Sequence, residues 1–276
     1  MILHHREWGP AEGSTVFCVH GVGQQSEIFA VFGELVAASG RRVVALDLRG
    51  HGDSPAATAS FADHVADLAE TAAALDPARA DWVGHSFGGR ACAALAAAHP
   101  ERVRSLALLE PAFEVPAERI RQAVLIAGLD WSFETRAGAA AALLAAEGSV
   151  GAAPQLVADY LERDLRRGDD GRFRFSSSGT AVAGVWEAMA GPNPPVATVP
   201  TLLLSGAESH LADAAGRERY ARALGPLLTE RTVDGGHNVL WSAPTATTEA
   251  ITDFLAATDA GDGNDRPSVN HERSRR

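Results

Sequence analysis

Between Asp81 and Ala98 the chain passes from a short apolar strand, Asp81-Trp82-Val83, through Gly84-His85-Ser86-Phe87-Gly88-Gly89, into the strong helix former Arg90–Ala98. This strand–turn–helix with a G-x-S-x-G core constrains the fold more than any other stretch. Gly84 and Gly88 lack a Cβ, so the helix can close on the strand while Ser86 takes a strained conformation. A hydroxyl held there sits at a helix N-terminus, where backbone N–H groups and the helix dipole favour developing negative charge. Ser86 is therefore read as a nucleophile.

Strands and helices alternate around this turn. Short apolar strands are expected at Ile2–Glu7, Thr15–Val19, Arg42–Leu46, Asp81–Val83, Val103–Leu109, Thr201–Ser205 and Thr229–Val233. Helices are expected at Ser26–Ala38, Phe61–Leu75, Gly89–Ala98, Leu211–Leu224 and Thr245–Ala256. Uninterrupted apolar strands between helical patterns predict an α/β doubly wound, mostly parallel sheet. The strand signal stops between Pro111 and Val196. An Ala-rich segment, an amphipathic run at Leu156–Arg167, an extended Arg172–Phe175 and a helical Ala181–Ala190 follow one another, and Gly191–Pro195 leads back. Residues 1–111 and 197–258 are thus expected to form the core and 112–196 a mostly helical cap, with 259–276 a disordered polar tail.

With 276 residues the chain can bury a full core. Its net charge of −11 argues against nucleic acid or an anionic membrane as partner. Cys18 and Cys92 form neither a disulfide framework nor a zinc spacing, and both lie in apolar segments as buried thiols. No secretory signal pattern and no apolar run of membrane-spanning length is visible, so a cytoplasmic protein is expected. A monomer or homodimer is expected, with neither metal nor cofactor.

Nucleophilic hydrolysis requires a base, a group orienting it and oxyanion donors. His237, on the Gly-rich loop Val233–Asn238 after the last strand, is the base expected to swing over the carboxyl edge of the sheet. The Phe87 N–H, next to the nucleophile, is one donor. The Val22 N–H, between Gly21 and Gly23 after an early strand, is the other. His20, His51 and His85 stand in turns beside the site and are expected to bond to backbone.

Four segments in this order, His20-Gly21, Asp47–Ser54, Gly84–Gly89 and Gly236-His237, resemble the α/β-hydrolase superfamily over residues 1–111 and 197–257. The resemblance implies that fold with a helical cap, and the serine at position 86 is similar to esterases and lactonases rather than to haloalkane dehalogenases, which use aspartate. The fold supports many reactions, so the motifs imply no substrate. The family's acid usually follows the strand matched by Thr201–Ser205, yet Ser209 and His210 occupy those positions. Some members carry it after the preceding core strand, where this chain has Leu109-Glu110-Pro111. Glu110 is accordingly the expected acid, with Glu208 and Asp213 as alternatives. Ser86–Arg90 also resembles the Ser-x-Gly-Gly-Arg pattern of menaquinone-pathway lyases, where the arginine meets a carboxylated substrate; a local acid is the other expected partner of Arg90. Phe29, Phe87, Phe113, Trp131, Trp186, Val239 and Trp241 are the expected lining of a pocket between sheet and cap, suited to an apolar acyl or lactone group. The reading is a serine hydrolase of a small-molecule carboxylic ester or lactone. C–C bond hydrolysis, a lyase step, or ligand binding without turnover are the alternatives.

Overall fold

The computed structural model describes residues 1–56, 58–209 and 214–264. Seven strands form one sheet: β1 (His5–Trp8), β2 (Thr15–Val19), β3 (Arg42–Leu46), β4 (Ala80–His85), β5 (Val103–Leu109), β6 (Thr201–Gly206) and β7 (Leu228–Val233). Their spatial order is β1-β3-β2-β4-β5-β6-β7, and only β1 runs antiparallel to its neighbour. The expected doubly wound sheet is therefore present, with β2, β3 and β5 at the bounds read from sequence and β1 starting three residues late.

Consecutive residues of β2 feed opposite cores, which is why the strand shows no polar alternation. Phe17 and Val19 join Trp82 and the packing of α2 (Phe61–Leu75) and α3 (Phe87–Ala98). Val16 and Cys18 join Val83 on the other face, under α1 (Ala30–Ala37) and α10 (Pro244–Asn264). Phe17 stacks on Trp82 at 4.7 Å between centroids. A Ser60–Asp63 capping box starts α2, satisfying otherwise orphan N–H groups. Both cysteines are buried and free, and burial pushes their thiol pKa values up.

The segment between β5 and β6 holds α4 (Ala117–Ala127), α5 (Arg136–Leu144), α6 (Pro154–Asp164) and α7 (Gly179–Ala188). It also holds a small antiparallel sheet of two-residue strands, Ser132–Phe133, Phe173–Arg174 and Arg166–Arg167. The helix expected over Leu156–Arg167 ends at Asp164, because Arg166 and Arg167 pair with Arg174 and Phe173. The disordered tail expected from Asp259 does not hold for residues 259–264, and residues 265–276 lie outside the described residues. Helix α10 continues to Asn264, and Asp259 is held by Arg41 and by Arg104 Nη1 at 2.8 Å. These two arginines also meet Asp81, fully buried on β4, with Arg41 Nη1 at 3.1 Å and Arg104 Nε at 2.9 Å. The helix expected to begin at Leu211 is described from Ala214 as α8 (Ala214–Leu224); Leu211–Asp213 lie outside the described residues. No helix among the described residues is long and apolar enough to cross a membrane.

Candidate active site

Ser86, Glu110 and His237 each follow the carboxyl end of a parallel strand, where an open α/β sheet offers its binding crevice. Ser86 links β4 to α3 with φ 53° and ψ −116°, a conformation strained for any residue but glycine. Close packing forces it. A Cβ on Gly84 would come within 2.6 Å of the Gly88 carbonyl oxygen, and one on Gly88 within 2.2 Å of the Val19 oxygen. The Ser86 N–H donates to the Leu109 oxygen at 2.9 Å, and the Ser86 oxygen accepts from the Arg90 N–H at 3.2 Å and the Ala112 N–H at 3.1 Å. The backbone of the turn is thus fixed from both sides.

Glu110 immediately follows β5 and is the other non-glycine residue with positive φ among the described residues, at 47°. Its carboxylate is buried. Oε1 accepts the Gly206 N–H at 2.8 Å; Oε2 accepts the Ser209 hydroxyl at 2.6 Å and lies 3.2 Å from His237 Nδ1. Burying a carboxylate is costly unless its lone pairs are met, and here three donors meet them. The structure thus brings Glu110 to His237. Glu208 is exposed, and Asp213 lies outside the described residues. Ser209, at the position usual for the acid, is a hydrogen-bond donor to the acid instead.

His237 is held on the loop after β7. Its carbonyl oxygen lies 3.1 Å from His85 Nε2, and the Asn238 N–H donates to the Gly148 oxygen at 3.1 Å. Ser86 and His237 line the same two cavities.

Phe87 opens α3, and its ring packs edge-on against Phe61 and His64 in the core, leaving its N–H at the open helix end. Val22 lies on the loop after β2, in the wall of an apolar cavity beside Ser86. Among the described residues neither N–H has a protein acceptor, so both remain available to an oxyanion. The sequence reading missed Gln24. Its Oε1 accepts the Gly21 N–H at 2.9 Å and touches His85 Nδ1 at 3.1 Å, which folds the loop over the nucleophile. No sequence pattern marks such a curl.

The three expected backbone-bonded histidines brace this loop. His20 Nε2 accepts from the Leu48 N–H at 2.9 Å while Nδ1 donates to the Gly21 oxygen at 2.7 Å. His51 Nε2 accepts from the Gly23 N–H at 3.3 Å and Nδ1 donates to the Arg49 oxygen at 3.1 Å. Each arrangement needs one protonated and one bare nitrogen, hence a neutral ring. Burial agrees, lowering His20 and taking His51 down to about 3; it takes His85 to about 3 as well, and that neutral ring can donate to only one of its two oxygen contacts, the His237 carbonyl or Gln24 Oε1.

A cavity of about 710 Å³ lies between the sheet edge and the insertion. Trp131, Trp186 and Trp241 line it as expected, with Tyr160 packed edge-on against Trp241 at 5.1 Å. A second cavity of about 780 Å³ meets the first at Ser86, His237, Arg119 and Trp186, and Phe113 lines it. Phe29, Phe87 and Val239 do not line either cavity; the Phe87 ring is turned into the core against Phe61 and His64. All three are 0 % exposed, and Phe29 and Val239 share one core cluster, where the short helix Ser26–Phe29 turns the Phe29 ring inward against Phe32. Arg90 is also displaced from its expected role. It is 1 % exposed, lines neither cavity and meets no carboxylate among the described residues.

A family model described as the alpha/beta hydrolase fold matches residues 14–244. The chain is 32% identical over 213 residues to "Lipase LipV" of Mycobacterium tuberculosis, covering 73% of this chain and 77% of that protein. It is 30% identical over 267 residues to "2-(acetamidomethylene)succinate hydrolase" of Mesorhizobium japonicum, 92% of each. A crystal structure of E-2-(acetamidomethylene)succinate hydrolase superposes with TM-score 0.79 at 26% identity, covering 92% of this chain and 95% of that one. The enol-lactonase of Burkholderia xenovorans LB400 shares the fold, with TM-score 0.75 at 22% identity over 92% of this chain and 96% of that one.

Proposed function

This chain belongs to the α/β-hydrolase fold family, and on that premise we propose that it is a serine hydrolase cleaving a small-molecule carboxylic ester or lactone. The observation that carries the reading is the Glu110–His237 contact at 3.2 Å, with both residues and a strained Ser86 lining one cavity. The lipase and hydrolase names of its relatives support hydrolysis as the reaction type.

In this reading Ser86 Oγ attacks the substrate carbonyl carbon as its proton passes to His237 Nε2. The carbonyl oxygen takes the negative charge and is met by the Val22 and Phe87 N–H groups. Glu110 holds His237 Nδ1–H, fixes the tautomer and stabilises the imidazolium. The proton then moves to the leaving oxygen as the C–O bond breaks. Water, deprotonated by His237, cleaves the acyl-enzyme and restores Ser86. The tryptophan-lined cavity suits an apolar arm of the substrate.

Labelling with a fluorophosphonate, read by peptide mass spectrometry, tests the reading. Ser86 is expected to be modified, and His237→Ala to abolish modification. An unlabelled Ser86 in folded wild-type protein would overturn it in favour of binding without turnover.

A further inference from the structure

Arg90 is a buried guanidinium on the nucleophile helix with no carboxylate beside it among the described residues. Nη1 donates to the Phe113 oxygen at 2.6 Å and approaches the Ala112 oxygen at 3.3 Å and Asn193 Oδ1 at 3.1 Å. Nη2 donates to the Gly191 oxygen at 2.6 Å and the Pro192 oxygen at 2.9 Å. Ala112–Phe113 is where the chain leaves the sheet for the insertion, and Gly191–Asn193 is where it returns. One side chain therefore ties both ends of the insertion to the turn that carries Ser86. The guanidinium also lies 5.3 Å from the Phe61 ring centroid, so the ring face and carbonyl dipoles supply its counter-charge.

Burying an arginine without an acid is costly, and the fork geometry explains why the residue is arginine: two nitrogens on one rigid plane reach two separate strands of chain. A lysine ammonium has three donors but only one nitrogen, and so lacks that planar span. Helices α4 and α7, which spring from the two clamped ends, carry Arg119 and Trp186, and both residues stand where the two cavities meet Ser86. The Ala112 N–H bond to the Ser86 oxygen adds a backbone tie to the same point.

We propose that Arg90 is a positioning residue that sets the height of the insertion above Ser86 and thereby fixes the room for large substrates, without touching substrate itself. The proposal rests on the hydrolase reading for its kinetic arm only. Its other arm is hydrogen exchange of residues 112–127 and 179–193, which needs no activity.

The test compares wild type with Arg90→Lys and Asn193→Asp on p-nitrophenyl acetate and p-nitrophenyl octanoate. Arg90→Lys is expected to raise KM for the octanoate at least tenfold, to change both constants for the acetate less than threefold, and to speed exchange in both segments. Asn193→Asp puts a carboxylate on the clamp and is expected to slow exchange there, which keeps the proposal falsifiable should Arg90→Lys not fold. In Arg90→Ala, millimolar guanidinium is expected to lower the octanoate KM again. Equal losses on both esters without guanidinium rescue, or unchanged exchange in Asn193→Asp, would overturn the proposal. Failure of wild-type Ser86 to take a fluorophosphonate would defeat the hydrolase reading and leave the exchange result to decide this one.

Discussion

Glu110 Oε2 stands 3.2 Å from His237 Nδ1 across 127 residues of sequence, and the Ser209 hydroxyl donates to the same oxygen at 2.6 Å. The acid reaches the histidine from the end of β5, crossing the end of β6, whose Gly206 N–H binds its other oxygen. Glu110→Gln keeps the size but offers an amide to the imidazole and loosens the tautomer. It is expected to lower kcat by about 10²–10⁴ with KM changed less than threefold. Glu208→Ala, at an exposed position, is expected to stay within twofold. Steady-state ester hydrolysis decides between them, and a Glu110→Gln enzyme with a tenth of wild-type kcat would remove the role from Glu110.

Ser86 holds φ 53° and ψ −116° because Gly84 and Gly88 let α3 close on β4. A glycine adopts that backbone freely. Ser86→Gly is therefore expected to raise the unfolding free energy by about 1 kcal/mol while abolishing turnover. Urea denaturation of the two proteins measures it; a destabilised Ser86→Gly would mean that the turn stores no strain.

The sheet was legible because its strands are apolar along their whole length and end in turn residues. Ser86 and His237 were legible because glycines mark the backbone that presents them. Glu110 needed the family pattern, and its positive φ left no trace in sequence. Phe29 was misread because an aromatic near the site looks alike whether its ring turns to the cavity or to the core. Rotation by the short Ser26–Phe29 helix decides that, and no local pattern encodes it. Arg90 was misread for a related reason, since its partners are carbonyl oxygens at both ends of the insertion, which any residues could supply.

Phe29 and Trp186 separate core from cavity experimentally. Phe29 is wholly buried and packs on Phe32, so Phe29→Ala is expected to cost about 3–5 kcal/mol of stability with little change in KM. Trp186 is half-buried at the junction of the two cavities. Trp186→Ala is expected to raise KM for a long-chain ester severalfold with a smaller stability loss. Thermal melts and kinetics on the same two proteins check both, and a KM effect confined to Phe29→Ala would reverse the assignment.

Buried titratable groups set the acid stability. Burial lowers His51 and His85 to about 3 and His64 to about 4. Unfolded histidine takes its proton near pH 6.5, so between there and pH 4 the unfolded chain holds protons that the native state refuses. Stability is full above pH 6.5 and falls with acidification, by up to about 1.4 kcal/mol per pH unit for each ring. Asp164 works in the opposite sense. It accepts the Ser176 hydroxyl at 2.5 Å through Oδ1, Oδ2 has no partner, and burial raises its pKa to about 6. The native carboxyl keeps a proton that the unfolded one has lost, so Asp164 costs stability as pH rises through about 4 to 6, and the full cost stands above pH 6. Three histidines outweigh one aspartate, and net loss below pH 6.5 is expected. Urea titrations from pH 4 to 8 resolve the terms. His64→Leu is expected to flatten the acid limb by about 1.4 kcal/mol per pH unit. Asp164→Asn, which can keep the Ser176 bond, is expected to add about 2 kcal/mol at pH 8 and progressively less below pH 6. An Asp164→Asn protein stabilised equally at pH 4 and 8 would show that the gain has nothing to do with ionisation.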